Sequence, residues 1–363
     1  MQNLDEIRGQ IQETDREMAR LFEQRMKAVE QVAAYKKAKG IPVLDAKQEE
    51  RVLERNAAFV SDDVIRQYYL SFMNEVFAVS RSYQERLISG ARAAYSGVEG
   101  SFAHMAAKNI FPEGRYVAYP SFDEAYLSVV EGECDYAVLP IENSYAGEVG
   151  QVIDLMFHGS LYVNGVYDFS VVHHLLGVPG SKLEDVRIVA SHPQALSQCR
   201  PYILKHRFAE QNEENTAVAA QKIAALNDPT IAAIASEETA ALYGLSILDH
   251  DINESKSNTT RFAVFARTAN TLTPGREDGA FIMLFRVNNV VGALAQTLQV
   301  IGKHGFNLRV LRSRPLKTTP WKYYFYAEAE GDPSSLDAQK MMEEMGEHCD
   351  MLKIAGQYVP KPL

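Results

Sequence analysis

Positive charges interrupt an apolar stripe near the start of the chain. Arg25 takes a stripe position, where Leu21 and Ala28 are its neighbours in the pattern. A guanidinium buried there costs several kcal/mol unless a partner neutralises it. Lys36, eleven residues later, returns to nearly the same helical face at about 100° per residue. A single such cation usually snorkels to solvent or pairs with a core Glu. Cations that converge with other polar groups instead indicate a site for a small anion.

Other polar residues of this segment can complete the site. Ser80 and Gln84 are four residues apart on a predicted helix and therefore share a face. Glu49 follows the turn after Asp45. Arginine, lysine, glutamate and glutamine around one pocket suit a small dianion that also carries a hydroxyl and an ether oxygen.

The helix that must position the two cations follows from the spacing of apolar residues. A stripe at three-four spacing runs over residues 4–35, and Gly40 and Pro42 end the helix. At 1.5 Å per residue it spans on the order of 50 Å, which is too long to bury its stripe within one small domain. A partner chain is therefore expected. Arg8, seventeen residues before Arg25, lies about a quarter-turn away and is predicted to join the partner's site.

Three polar clusters lie beside predicted strands in the middle of the chain. Residues 140–144 (PIENS) follow YAVL, residues 191–194 (SHPQ) follow RIVA with Gln198 one turn on, and residues 258–262 (NTTRF) precede AVFA. Ligands of open α/β sheets gather at strand ends and helix N-termini. Each cluster alone is most often a helix cap or a polar strand edge, whereas together they predict a binding site. The sequence contains no Gly-rich phosphate loop and no metal-ligand spacing, so neither a cofactor nor a metal is expected.

The elements around these clusters change character along the chain. From Arg92 to Arg267, short apolar runs such as YAVLPIE, FSVVHHLLGV and RIVAS alternate with amphipathic segments, which is typical of an α/β sheet domain. A linker over residues 268–278 (TANTLTPGRED) leads to a third unit with the order βαββαβ, which is that of a ferredoxin-like fold.

Composition narrows the class of protein. The 363 residues are 46% hydrophobic and 23% charged, with a net charge of −10. No apolar run approaches the roughly 20 residues of a membrane helix, and no long basic run favours nucleic acid. Three distant cysteines and a polar N-terminus predict a reduced, cytoplasmic protein without disulfides.

The first segment resembles the all-helical chorismate mutase family over nearly its whole length. The resemblance implies electrostatic stabilisation of a pericyclic transition state, with Lys36 and Gln84 bonded to the ether oxygen as its bond to carbon breaks. The family usually has Arg where this chain has Gln48, so a domain that only joins subunits remains an alternative. The implied catalytic residues are Arg25, Lys36, Glu49 and Gln84, and the implied binding residues are Arg8 from across a dimer, Asp45 and Ser80.

Residues 92–267 resemble the prephenate dehydratase family through the ordered blocks AYSGVEGSFAHMAA, VLPIENSYAGEVG, SHPQALSQC, ASEETAALYGLSIL and NTTRF. The resemblance implies a two-lobed α/β fold, like that of periplasmic binding proteins, with its site in the cleft. Loss of a ring hydroxyl requires a donor beside it, and the resemblance gives this role to Thr260. Arg261 is expected to bind a carboxylate or to tie the structure across the hinge. The other implied binding residues are Ser101, Glu142, Asn143, Ser191 and Gln198.

The C-terminal unit resembles an ACT domain, which in this enzyme family binds phenylalanine between paired domains. The family's Glu-Ser-Arg-Pro motif has become Arg-Ser-Arg-Pro here, so a unit that only pairs subunits is the alternative to a sensor. The residues implied for the effector site are Gly292, Ala293 and Leu294 of the GAL motif together with Arg312, Ser313, Arg314 and Pro315.

The sequence thus predicts a multidomain protein with an all-α domain over residues 1–90, a two-lobed α/β domain over 91–268 and a ferredoxin-like α+β domain over 278–359. We expect a homodimer or larger homo-oligomer that converts chorismate to prephenate and prephenate to phenylpyruvate in phenylalanine biosynthesis, under feedback by L-phenylalanine. Three alternatives remain: a monofunctional dehydratase with a helical dimerisation domain, a preference for arogenate, and a non-catalytic aromatic-acid sensor.

Overall fold

The computed structural model describes residues 3–270, 278–317 and 319–362. These residues form two compact units, one made of residues up to 91 with 113–115 and the other of the remainder. Most of the predicted linker, residues 271–277, lies outside the described residues. None of the described helices combines the length and apolarity that a bilayer crossing requires.

The first unit is helical, and its first helix ends at Gly40 as predicted. Asn3 forms a capping box with Glu6, and Gly40 ends the first helix in a left-handed conformation with φ of 64°. Asp62 accepts hydrogen bonds from two backbone amides at the start of the third helix. The described helices of this unit are α1 (Leu4–Lys39), α2 (Ala46–Ala57) and α3 (Asp63–Ser89).

Most of the apolar stripe on α1 stays exposed within this unit. Among the described residues of α1, only Val29 and Ala33 are buried. An exposed stripe of this length is a large contiguous apolar surface. The exposed apolar residues of α1 include Leu4, Ile7, Ile11, Met18, Leu21, Val32 and Tyr35.

The second unit begins with an α/β lobe whose central strand is β3. The strands β1 and β3 are parallel, whereas β11 returns from much later in the chain and runs antiparallel between β3 and β5. The elements of this first lobe are β1 (Arg92–Ser96), α4 (Phe102–Ile110), β2 (Arg115–Tyr119), α5 (Phe122–Val130), β3 (Tyr136–Asn143), β4 (Gly147–Glu148), α6 (Gly150–His158), β5 (Tyr162–Ser170) and β11 (Thr259–Ala266).

A second lobe is built on its own sheet, in the order β10-β6-β9-β7-β8. Its elements are β6 (His174–Gly177), a 3-10 turn (Leu183–Asp185), β7 (Ile188–Ser191), α7 (Pro193–Gln198), α8 (Arg200–His206), β8 (Ala209–Asn212), α9 (Thr216–Leu226), β9 (Ile231–Ala235), α10 (Glu237–Tyr243) and β10 (Ser246–Asp249). The two-lobed α/β architecture predicted from the sequence is therefore confirmed.

The chain crosses between the lobes twice, at residues 171–173 and 250–258. The first crossing divides the apolar run FSVVHHLLGV, because β5 ends at Ser170 and β6 begins at His174 in the other sheet. The run therefore contributes to two strands in different sheets. Both lobes bury apolar strands, so hydrophobicity alone cannot mark the point where a chain leaves one core for another.

The C-terminal elements follow the predicted order βαββαβ and form an antiparallel sheet in the order β13-β14-β12-β15. This sheet continues into the first lobe through β15 and β5. Gly356 makes the junction possible, because a Cβ there would lie 2.0 Å from the Val163 carbonyl oxygen. The elements are β12 (Ala280–Val287), α11 (Ala293–Lys303), β13 (Leu308–Pro315), β14 (Tyr323–Glu330), α12 (Leu336–Gly346), β15 (Cys349–Tyr358) and β16 (Lys361–Pro362).

Candidate active sites

The helical unit encloses a cavity of about 350 Å³ that all its helices help to line. Helix spacing explains the convergence, because residues separated by whole turns return to one face. The structure thus brings together most of the polar residues expected to hold a dianion. The predicted residues that line the cavity are Arg25, Lys36, Asp45, Glu49, Ser80 and Gln84.

Arg25 is the most unusual group in this cavity. Its guanidinium donates to the Ser80 hydroxyl and lies 5.9 Å from the centre of the Phe77 ring. Burial lowers the pKa of Arg25 from its ordinary value, and no charged partner offsets this effect. Within the described part of the chain, Arg25 forms no ion pair with a carboxylate. A half-buried cation of this kind is stabilised when an anionic ligand binds beside it.

Two further donors face the same space. Lys36 Nζ donates to the Val43 carbonyl oxygen, which leaves its positive charge without a carboxylate. Gln84 donates to the Ser80 carbonyl oxygen at 3.2 Å, while its buried Oε1 has no hydrogen-bond partner among the described residues. An amide oxygen and nitrogen are assigned from the surrounding network, so a ligand could meet either atom of this amide.

Arg81 is a cavity residue that the sequence reasoning missed. Its Nη1 donates to Glu49 Oε2 at 2.6 Å, and both side chains line the cavity beside Gln48. The signal was available, since a cation directly after Ser80 lies only about 100° around the helix from it. Arg81 supplies positive charge near the position where the family pattern has Arg and this chain has Gln48.

Arg8 does not join this cavity. It lies within 3.6 Å of Asp5, and both side chains are largely exposed. Its absence from the lining of its own chain's cavity agrees with the quarter-turn that separates it from Arg25.

The second unit has a cleft of about 370 Å³ lined by both lobes. The first lobe and the crossings contribute Ser101, Asn143 and Thr260, and the second lobe contributes Gln198. Ser101 also caps α4 through its hydroxyl, at 3.3 Å from the His104 amide nitrogen. The cleft therefore gathers a subset of the predicted dehydratase residues.

A continuous amide network joins the two lobes at the base of the cleft. Asn143 Nδ2 lies 2.9 Å from Thr260 Oγ1 and 3.0 Å from Asn258 Oδ1. Asn258 Nδ2 donates to Gln198 Oε1 at 3.0 Å, and Gln198 Nε2 lies 3.4 Å from Asn143 Oδ1. Because Thr260 Oγ1 accepts from Asn143, its own hydrogen is available for a ligand in the cleft.

His173, in the first crossing between lobes, is a second cleft residue that sequence reasoning missed. It is 2% exposed, and its Nε2 lies 2.9 Å from Gln198 Oε1 while Nδ1 has no partner. Burial lowers the pKa of His173 to about 4, more than the Gln198 bond raises it. The imidazole is thus neutral near pH 7 and acts as a hydrogen-bonding group. His192 also lines the cleft and caps α7.

Three predicted binding residues are not among the side chains that line this cleft. Ser191 is fully buried and donates to the Ile234 carbonyl oxygen. Glu142 and Arg261 are the immediate neighbours of Asn143 and Thr260 in β3 and β11. The two strands pair Thr260 with Asn143 and Arg261 with Glu142. Because successive side chains of a strand point to opposite faces, only one of these pairs can reach the cleft.

The Arg261 and Glu142 pair instead belongs to an ionic network with the C-terminal unit. Arg261 donates to both carboxylate oxygens of Glu328, at 2.9 and 3.0 Å, and to Tyr358 Oη at 3.1 Å. Burial alone would raise the pKa of Glu328, but hydrogen bonds and charge from Arg261, with bonds from two tyrosines, hold it below its ordinary value. These contacts tie the first lobe to the C-terminal elements, whereas the structural tie expected for Arg261 ran across the hinge between the two lobes.

Two arginines of the Arg-Ser-Arg-Pro motif on β13 also contact the first lobe. Arg312 Nη2 donates to Glu142, whose other carboxylate oxygen lies 3.4 Å from Arg261. Arg314 donates to Asp154 at 3.0 Å and also to Glu148. Neither arginine lines the cavity that contains the GAL motif, and both side chains contact the first lobe instead.

The GAL motif itself lines a cavity of about 370 Å³. Gly292 has φ of 84°, a left-handed conformation that glycine adopts without strain. Aromatic rings and one ion pair, Arg286 with Asp350, share this cavity with Ala293 and Leu294. The rings are Trp321, Tyr323 and Phe325.

A cation-lined helical cavity and a polar cleft in a two-lobed α/β unit define a two-site enzyme that acts on small organic acids. The family model for chorismate mutase type II matches residues 7–85, and the model for prephenate dehydratase matches residues 93–270. The chain belongs to the bifunctional chorismate mutase/prephenate dehydratase family.

The chain is similar to a curated bifunctional relative and to several solved structures. The bifunctional chorismate mutase/prephenate dehydratase of Aquifex aeolicus is 31% identical over 368 residues, which cover 100% of this chain and 99% of the relative. The prephenate dehydratase of Arthrobacter aurescens, solved with L-Phe, is 25% identical with a TM-score of 0.68, covering 74% of this chain and 89% of that one. A structure described as GqqA, a novel type of quorum quenching acylase, is 30% identical with a TM-score of 0.69, covering 74% and 98%.

The chain therefore carries both activities. It rearranges chorismate to prephenate and converts prephenate to phenylpyruvate in phenylalanine biosynthesis. Among the described residues, no group of three or more His, Cys, Asp or Glu side chains is placed to hold a metal ion.

Proposed function

We propose that the helical cavity is the mutase site and that Arg25, Lys36, Glu49 and Gln84 act on chorismate there. The observation that carries this proposal is the pair of cations, Arg25 and Lys36, bonded only to a hydroxyl and a carbonyl oxygen. Two carboxylates of a dianion can supply the missing negative charge. Lys36 and Gln84 can then donate to the ether oxygen as charge develops on it, which stabilises the transition state without a covalent step. Asp45 and Ser80 complete the binding surface.

For the dehydratase reaction, we propose that Thr260 donates to the leaving ring hydroxyl. An aliphatic hydroxyl is a weak acid, so its contribution depends on the bond from Asn143 that orients it. Ser101, Asn143 and Gln198 bind prephenate in this proposal. His173 stays neutral and orients the Gln198 amide through the hydrogen bond to its Oε1.

We also propose domain boundaries and an assembly for the chain. The mutase, dehydratase and ACT domains span residues 1–90, 91–268 and 278–359. The exposed stripe of α1 supports a homodimer or larger homo-oligomer in which Arg8 enters the partner's mutase cavity. The cysteines Cys134, Cys199 and Cys349 are free and buried, which suits the reducing cytoplasm.

The C-terminal unit is proposed to be a ferredoxin-like ACT domain that binds L-phenylalanine in the GAL cavity. Its βαββαβ order and antiparallel sheet support the fold. The rings of Trp321, Tyr323 and Phe325 suit a phenyl side chain, and the Arg286–Asp350 pair suits a zwitterion. The relative from Arthrobacter aurescens was solved in complex with L-Phe.

Feeding chorismate to the purified chain, and following chorismate, prephenate and phenylpyruvate over time, tests the catalytic proposals. We expect phenylpyruvate to accumulate after a transient of prephenate. If chorismate persists while added prephenate is consumed, the helical unit serves only as a dimerisation domain. Failure to consume either substrate would favour a binding protein for aromatic acids.

The effector proposal has a direct optical test, because Trp321 is the single tryptophan of the chain and lines the GAL cavity. We expect L-phenylalanine to change its emission in a saturable way and to slow phenylpyruvate formation over the same concentration range. L-Alanine, which lacks the ring, serves as the control ligand. An unchanged emission together with an unchanged rate would leave the unit as a subunit-pairing domain.

A further inference from the structure

The two strands that carry the dehydratase residues also carry a charged pair on their opposite face. Asn143 and Thr260 point into the cleft, while Glu142 and Arg261 lie one residue away on the same strands. The backbone of β3 and β11 is shared by both faces. A shift of the charged pair along its face therefore displaces the hydroxyl and amide that meet the substrate.

The charged pair on this face lies within a series of alternating charges whose two ends, Arg312 and Glu328, come from the C-terminal elements. Arg312 bonds to Glu142, Glu142 lies beside Arg261, and Arg261 bonds to Glu328. Glu328 is 2% exposed and also accepts from Tyr326 and Tyr358. The side chains of Arg312 and Glu142 are about three-quarters buried, with exposures of 24% and 23%. Charge-assisted bonds in such surroundings are stronger than exposed ion pairs.

We propose that Arg312 is a positioning residue of the dehydratase site, and this inference rests on the proposed role of Thr260. Arg312 holds Glu142 in place, Glu142 and Arg261 hold the register of β3 and β11, and the register sets the distance from Asn143 to Thr260. Misplacement of a catalytic group by about 1 Å can lower a rate on the order of 100-fold. The charge at position 312, where the family motif has Glu, thus has a defined partner in this chain.

The same link connects the dehydratase site with the GAL cavity. Phe325, which lines that cavity, lies on β14 opposite Ser313, and the next pair along is Tyr326 opposite Arg312. Glu328 follows on the same strand. A ligand that moves β14 therefore reaches Glu328 directly and Arg312 through the pairing of β13 with β14.

Graded substitution of Arg312 tests the inference in the full-length chain. We expect the prephenate kcat to fall in the order Arg312→Lys, Arg312→Gln, Arg312→Glu, reaching a loss of about 10- to 100-fold for Arg312→Glu, while KM stays within about threefold because the cleft lining is intact. Arg309→Gln is the matched control. Arg309 lies on the same strand but pairs with Glu330 within the C-terminal sheet. The kcat of Arg309→Gln should therefore match that of the wild type.

A double-mutant cycle separates positioning from general damage. In the Glu142→Gln background, Arg312→Gln should have no further effect on kcat, because its partner is already neutral. Additive losses, or an unchanged kcat in Arg312→Glu, would overturn the inference. The mutase rate of the same samples reports that the chain is folded, and it should stay constant. If the wild type itself fails to turn over prephenate, the proposed function fails and not this link alone.

Discussion

The two sites differ in how well the expected residues meet. In the helical cavity, the expected residues of the same chain converge from α1, the start of α2 and α3, and only Arg8 lies elsewhere. In the α/β cleft, Ser101, Asn143, Gln198 and Thr260 meet, but three expected neighbours do not. Those three are Glu142, Ser191 and Arg261.

The difference follows from the two backbone periods. In the helical unit, Ser80 and Gln84 are four residues apart and Arg25 and Lys36 are eleven apart. Both spacings return a side chain to the same face of a helix. The dehydratase motifs are contiguous, and they lie within strands where successive side chains alternate. A contiguous motif in a strand therefore serves two faces. In this chain one face forms the cleft, and the other carries the contact with the C-terminal unit.

The largest expected effect is on the cleft face. Thr260→Ala should lower phenylpyruvate formation from prephenate by about 10³-fold, because the leaving hydroxyl loses its donor, while chorismate consumption continues unchanged. Thr259→Ala is the matched control, since the Thr259 hydroxyl bonds to the Ser257 carbonyl oxygen outside the cleft lining. Equal dehydratase rates in the two variants would show that the Thr260 hydroxyl takes no part in the reaction.

The corresponding variant in the helical cavity is Arg25→Ala. We expect the mutase rate to fall by about 10²- to 10³-fold through loss of charge stabilisation, with prephenate turnover intact. Arg16→Ala, which removes an exposed partner of Glu13 on the same helix, should leave both rates unchanged. A parallel loss of both activities in Arg25→Ala would indicate unfolding instead of a local defect.

Mixing chains sharpens the same comparison. Heterodimers of Arg8→Ala with Arg25→Ala should recover part of the mutase activity, because one of their two shared sites contains both arginines. Verified heterodimers without recovery would contradict a site shared between chains.

A smaller effect is expected at Arg81. Arg81→Gln should lower the kcat/KM for chorismate by roughly tenfold, which corresponds to the loss of one charge-assisted hydrogen bond. Glu49 would lose its cation, and Gln48 cannot replace the charge. Gln48→Arg in the Arg81→Gln background should restore part of the loss. Failure to restore it would mean that the position of the cation matters more than its charge.

Local signals predicted the helical unit closely. Gly40 ends the first helix through its left-handed backbone conformation, which depends on neighbouring residues alone. The division of the run FSVVHHLLGV between two sheets could not be predicted, because both lobes bury apolar strands on either side of the crossing. Sequence periodicity cannot distinguish one core from the next.

Local sequence patterns could not predict the ionic network between the first lobe and the C-terminal elements. Arg312 and Glu142 are 170 residues apart in sequence, and their contact depends on the junction between β15 and β5. The charge change in the Arg-Ser-Arg-Pro motif was visible, but its partner was not. Arg81 and His173 were also visible as polar residues, and only the folded geometry shows which faces they occupy.

The most direct test of the two-face account is Arg261→Gln, with the prephenate saturation curve and the free energy of unfolding measured on the same sample. We expect the unfolding free energy to fall by about 3–5 kcal/mol, because Glu328 stays buried without its cation. In the folded fraction, kcat should fall while KM changes little. A KM raised many-fold, with kcat and stability unchanged, would contradict the account and return Arg261 to the cleft as the ligand of a substrate carboxylate.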